Sequence, residues 1–242
     1  MRAQGGYWSA TRHPWPCLLF LVPLLLTYEV GVLWLGGPHA DTLRNGADVW
    51  LRWGLESFGL RSLYIAPALV ALLFVIWSWR RRHDVPSELF GVWVGMILES
   101  VGFALVLWGF SKALGPILDQ LGVVLATPTP SEYALSLAIT FIGAGIYEEF
   151  IFRLLLFAGL YHVLCLALTP RLPAFGIAAL ISATIFAAAH NIGPYGEPFH
   201  DLVFLFRMSA GIYFVFLLQL RGFAVAVGAH ACYDVLVGVL VP

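Results

Sequence analysis

Long apolar runs alternate along the chain with short polar breaks. Residues 14–35 are apolar except for Tyr28 and Glu29, and further runs cover 63–79, 89–110, 174–190, 202–220 and 223–241. About 20 apolar residues make a helix that crosses a bilayer. One more run, 131–168, has room for two short helices or one long tilted one. A single helix, broken or bent near Gly143 or Gly145, leaves Arg171 in the loop 169–173 and is the preferred reading. Residues 36–60 differ, because Trp50, Trp53 and Phe58 are mixed with Asp41, Arg44, Asp48, Arg52 and Glu56, as in an amphipathic segment lying at the interface. Thr127-Pro128-Thr129-Pro130 signals a turn, and 191–201 reads as a Gly/Pro loop. The pattern predicts an all-α, polytopic transmembrane bundle of about seven spans plus that interfacial segment. No linker is long enough to separate domains.

Composition agrees. The 242 residues are 60% hydrophobic and 11% charged, with a mean hydropathy of +0.87, whereas soluble domains are roughly 25% charged. The net charge of −1 and the lack of a basic stripe point to no nucleic-acid partner. Cys17, Cys165 and Cys232 have no C-x-x-C spacing and read as packing residues. Arg2 and Arg12 precede the first run and Arg80-Arg81-Arg82 follows the second, which puts both on the cytoplasmic side. The first run lacks the short core and small-residue exit of a cleaved signal peptide, so it is retained as a span.

Against this background the charges inside the spans stand out. Tyr147-Glu148-Glu149-Phe150-Ile151-Phe152-Arg153 sets two acids and a base in an apolar run, where each charge costs roughly 2.5–3.5 kcal/mol on insertion scales. Glu149 and Arg153, four apart with the acid first, share a helix face and can pair. Glu148 lies about 100° round the helix and must find its partner elsewhere. The candidates come in helical pairs, Phe186-x-x-x-His190 and His230-x-x-x-Asp234, the second joining an imidazole to a carboxylate that can orient it. One reading is that these charges only glue helices together. The other is that Glu148, His190, His230 and Asp234 activate a water and stabilise an oxyanion; Glu148, His190 and His230 would also suit zinc. A proton-relay transporter is a third reading, but there are no inverted repeats to support it. Glu29, Glu99 and Arg207 are further charges within spans, expected to pair between helices.

In series, Glu148-Glu149-x-x-x-Arg153, Phe186-x-x-x-His190 and His230-x-x-x-Asp234, about 40 residues apart, resemble the motifs of the CAAX-processing and bacteriocin-processing (CPBP) intramembrane proteases, which include the type II CAAX prenyl endopeptidases. Arg207-Met208-Ser209-Ala210-Gly211 also resembles the small-residue helix before the last motif. The resemblance covers 131–242 as a catalytic core and leaves 1–130 as a transmembrane region without recognised motifs. It implies an endopeptidase of the bacterial cytoplasmic membrane that cuts a lipidated or membrane-anchored protein near its C-terminus. Glu148 and His190 would activate water, and His230 with residue 234 would stabilise the oxyanion. Glu149, Arg153 and Phe186 would support them. It implies no required cofactor, with zinc the alternative. Asp234 stands where the family more often has Asn, and an ionised carboxylate cannot donate to an oxyanion. A non-catalytic immunity or scaffold protein is the competing expectation.

Overall fold

The computed structural model describes residues 6–60, 64–120, 133–167, 170–193 and 196–240, and the side chains among them except those of 114–120. The turn expected at 127–130 lies outside these residues, as do residue 169 of the loop 169–173, residues 194–195 of the Gly/Pro loop, residue 63 of the second run and residues 131–132 of the long one.

Local signals set the first boundaries. After the single turn of α1 (Tyr7–Ala10), α2 (Pro14–Gly36) starts on a proline, whose missing N–H would have had no helical partner, and His13 caps it by accepting from the Trp15 N–H at 3.3 Å. Gly37, at φ +49°, ends the helix in a conformation that favours glycine. The chain tightens into a 3-10 segment (Gly37–Leu43) and turns into α3 (Gly46–Ser57), capped by Asn45. There follow α4 (Ile65–Arg80), α5 (Leu89–Gln120), α6 (Ala134–Glu148), a π-helical stretch (Glu149–Phe157), α7 (Ala158–Leu166), α8 (Arg171–Ala189), α9 (Asp201–Arg221) and α10 (Phe223–Val235), which closes in a π-helical turn (Leu236–Leu240). No strand occurs among the described residues. Six helical segments are long and apolar enough to span a membrane; Ile65–Arg80, about 24 Å long, supplies a seventh at the short limit. The protein is an integral, multi-pass membrane protein.

α10 is the central post. Ala224, Val225, Ala226, Val227 and Ala229 are wholly buried, and small side chains let neighbouring helices come close. At Gly145 of α6 a Cβ would lie 2.8 Å from the Cβ of Ala231 and from the carbonyl oxygen of Val227. That approach holds the two helices together one turn before Glu148. Gly211 brings α9 onto Ala183 of α8 in the same way. At one end, Arg221 is bound by both oxygens of Glu99 at 2.7 Å and stacks 3.7 Å over Trp8, and Gly222 turns beside Thr11 and Arg12. Glu99 thus has the interhelical partner expected of it.

Two expectations gain detail. The long run is one continuous helix, Ala134–Leu166, unbroken at Gly143 and Gly145. Gly143 and Gly145 serve close packing, and the winding widens only from Glu149, where nine residues adopt π geometry, a departure often found at functional sites. The segment 36–60 is amphipathic, and several of its charges turn inward beside Ala47, Leu51 and Leu55. Asp48 is fully buried, whereas Trp53 and Phe58 are exposed. Asp48 accepts from Tyr28 Oη at 2.9 Å, Arg44 Nη1 at 2.8 Å and Arg52 Nε at 2.7 Å; Glu29 accepts from both arginines and, at 2.8 Å, from Tyr147 Oη. This ion network fastens α3 to α2 and α6.

Candidate active site

Four elements bring the site together. α6 carries Glu148 to the start of the π-helical stretch, α8 ends at His190, α10 holds His230 and Asp234 one turn apart, and the cap of α3 supplies Asn45. Glu148 and His230 are buried, and they meet: Glu148 Oε2 lies 3.7 Å from His230 Nε2, while Asp234 Oδ2 lies 3.4 Å from the same nitrogen. Glu148 and His190 line a cavity of about 530 Å³ together with His230, Asp234 and Arg207. A second cavity, of about 380 Å³, reaches Glu148 and His190 from Asp41, Trp50, Trp53 and Gly193.

The hydrogen bonds define which atoms are free to react. His190 Nδ1 sits 2.9 Å from the carbonyl oxygen of Phe186, which can only accept, so Nδ1 carries the proton and a neutral ring leaves Nε2 as acceptor. His230 Nδ1 donates to Glu149 Oε1 at 2.7 Å. The sequence suggests Asp234 as the group that orients this ring. Instead Glu149 holds it, and Asp234 and Glu148 share its other side. Glu149 also pairs with Arg153 at 3.4 Å, as expected of two residues four apart.

Arg153 is itself packed between rings. Its guanidinium carbon lies 4.0 Å from the Phe186 ring centre and 5.3 Å from that of Phe214. Phe214 stacks on His230 at 4.6 Å and 14°, and Phe186 meets His190 edge-on at 5.0 Å. A desolvated cation over aromatic faces contributes about 2 kcal/mol. One buried charge therefore fixes both plates against which the imidazoles rest. Arg207 pairs with Glu197 at 2.7 Å, within the second half of the chain, whereas Glu29 pairs with Arg44 and Arg52.

Asn45 is a member of the cluster that the motifs do not contain. Its Oδ1 accepts from the Ala47 N–H at 2.8 Å, which fixes the amide orientation, so Nδ2 donates to Glu148 Oε1 at 2.9 Å. The sequence Asn45-Gly46-Ala47-Asp48 does read as a helix cap. Nothing local connects it to a residue 103 positions away. Phe214 likewise falls in no motif. Glu148 Oε2, by contrast, is buried and accepts no hydrogen bond from any described residue.

For the zinc alternative, no group of three His, Cys, Asp or Glu side chains among the described residues is arranged to hold a metal ion.

Comparison with known families gives a match to the description "Type II CAAX prenyl endopeptidase Rce1-like" over residues 130–236. That span includes Glu148, Glu149, Arg153, Phe186, His190, His230 and Asp234 and leaves out Asn45 and the ion network of α2 and α3. No curated protein and no solved structure matches the chain. The motif series and the matched span agree, and over residues 130–236 the chain is similar to the type II CAAX prenyl endopeptidase Rce1-like family.

Proposed function

We propose that this protein is an intramembrane endopeptidase of a bacterial cytoplasmic membrane, hydrolysing a peptide bond near the C-terminus of a lipidated or membrane-anchored protein with a water activated by Glu148 and His190. The observation that carries this is Glu148 Oε2, which is buried on the wall of a cavity shared with His190, His230 and Asp234 and accepts no hydrogen bond from any described residue. A buried carboxylate oxygen without a partner is costly, and the cost is consistent with a group kept for proton transfer. Residues 131–242 are the catalytic core in this reading, within one membrane domain shared with 1–130.

Glu148 takes a proton from water held between it and His190 Nε2, the resulting hydroxide adds to the scissile carbonyl carbon, and the oxygen becomes an oxyanion. With Nδ1–H committed to Glu149, His230 donates from Nε2 to that oxygen only as the imidazolium, whose charge Asp234 supports from 3.4 Å. Collapse of the tetrahedral intermediate breaks the C–N bond, and the proton on Glu148 passes to the leaving amine. Asp234 need not donate. Asn45 positions Glu148 by tethering Oε1.

Glu148→Gln keeps the Asn45 bond and the shape of the residue, so the protein is expected to fold with unchanged melting behaviour and to lose about 10²- to 10⁴-fold in cleavage of a reconstituted substrate. Retained turnover would remove Glu148 from the reaction. Full activity is expected after exhaustive chelation; loss of activity that zinc restores would reverse the metal-independent reading.

A further inference from the structure

The fold sorts its exposed charge by end. The N-terminal turn, the loop after α4 and the turn between α9 and α10 share one end: His13 Nε2 is 3.7 Å from Asp84 Oδ1, Arg221 lies over Trp8, and Gly222 abuts Arg12. The start of α8 joins them, since Phe175 packs 5.8 Å from Phe216 near the end of α9. Among the described residues, Arg12, Arg80, Arg81, Arg82 and Arg171 are exposed at this end, beside Asp84 and Glu88. The opposite end exposes Lys112 with Asp41, Glu56, Glu197 and Asp201. Its described arginines are less exposed and tied to carboxylates, Arg44 and Arg52 to Asp48 and Glu29, and Arg207 to Glu197.

Short loops rich in lysine and arginine stay on the cytoplasmic side, and acidic residues weigh little in that choice. The arginine-rich end is therefore cytoplasmic. The passage to the site lies at the other end, because the smaller cavity runs from Asp41, Trp50, Trp53, Gly193 and Glu197 to Glu148 and His190. We propose that the site opens to the non-cytoplasmic face, and that its substrate is a translocated polypeptide whose body lies outside the membrane and whose C-terminal segment anchors it there. This rests on the hydrolytic reading above and adds the side from which the scissile segment arrives. A substrate whose body remains in the cytoplasm would present that segment at the wrong end.

Orientation can be read without turnover. In a background of Cys17→Ala, Cys165→Ala and Cys232→Ala, a cysteine from Glu56→Cys is expected to react with a membrane-impermeant maleimide on intact bacterial cells, and one from Arg82→Cys only after permeabilisation. The reverse pattern overturns the proposal. If these variants fail to accumulate, an alkaline phosphatase fused after Pro242 of the natural chain gives the same information: seven spans place it outside, so it should be active, and an inactive, stably produced fusion overturns the proposal. A third arm pairs two reporters with the same C-terminal anchor, one with its body exported and one with it retained. Cleavage of the exported form alone is expected, and cleavage of the retained form alone overturns the proposal. Labelling judges the orientation, and Glu148→Gln judges the chemistry.

Discussion

Two buried charge clusters lie a few residues apart in this protein, and they are built to opposite rules. In the first, around α2 and α3, Asp48 and Glu29 receive donors from Arg44, Arg52, Tyr28 and Tyr147, and each acid faces opposite charge. In the second, around α6 and α10, three carboxylates surround His230, and Glu148 keeps one oxygen without a hydrogen bond from the described residues. Tyr147 and Glu148 are adjacent, yet one points its hydroxyl into the first cluster and the other its carboxylate into the second. The difference teaches how to tell glue from chemistry in a membrane interior. A cluster whose charges cancel stabilises packing, whereas one left incomplete at a cavity wall retains capacity for proton transfer.

The comparison can be broken or sharpened by substitution. The largest effect is expected at Glu148→Gln, a loss of about 10²- to 10⁴-fold in turnover with the fold intact. Asp48→Ala should do the opposite. It removes one of the two carboxylates that Arg44 and Arg52 share, costs about 3–5 kcal/mol, and appears as early unfolding or poor accumulation in detergent, with activity falling in proportion to folded protein. If Asp48→Ala instead left stability unchanged and removed turnover, the division into scaffold and site would be wrong. Asn45 joins the two clusters, and Asn45→Ser separates its duties. Serine caps α3 as well as asparagine does but cannot reach Glu148, so kcat should fall about 10- to 100-fold with little change in KM or melting temperature. A parallel loss of stability and activity would reduce Asn45 to a cap. The smallest effect is expected at Asp234→Asn. An amide there still faces His230, and if Asp234 transfers no proton, kcat should change by less than the roughly 100-fold minimum typical of an acid–base group.

Much of the fold was legible because membrane helices satisfy their own backbone hydrogen bonds, so hydropathy alone locates them. The runs at 89–110, 174–190 and 202–220 are all helical in the structure. Pairs four residues apart were legible for the same reason, and Glu149–Arg153 lies where helical geometry requires. The amphipathic segment was recognised as such, but its inward face was not. Asp48 turns inward because Tyr28, Arg44 and Arg52 meet it there, and those contacts join residues that no single helical spacing links to Glu29. The orientation of His230 was assigned to Asp234 because those two are near in sequence. Glu149, 81 positions away, makes the closer contact.

The sequence by itself determined the helices, the membrane setting and the three motif fragments, since each depends on spacing along a single helix. Only the tertiary structure decided which acids face arginines and which one lines the cavity with an oxygen that accepts no hydrogen bond from the described residues. The physical reason is that a desolvated charge must pair with whatever the packing brings within about 4 Å, where Coulomb interactions in a low-dielectric interior are strong. Small residues such as Gly145 and Ala231, more than 80 positions apart, set that packing, and no local pattern records their meeting.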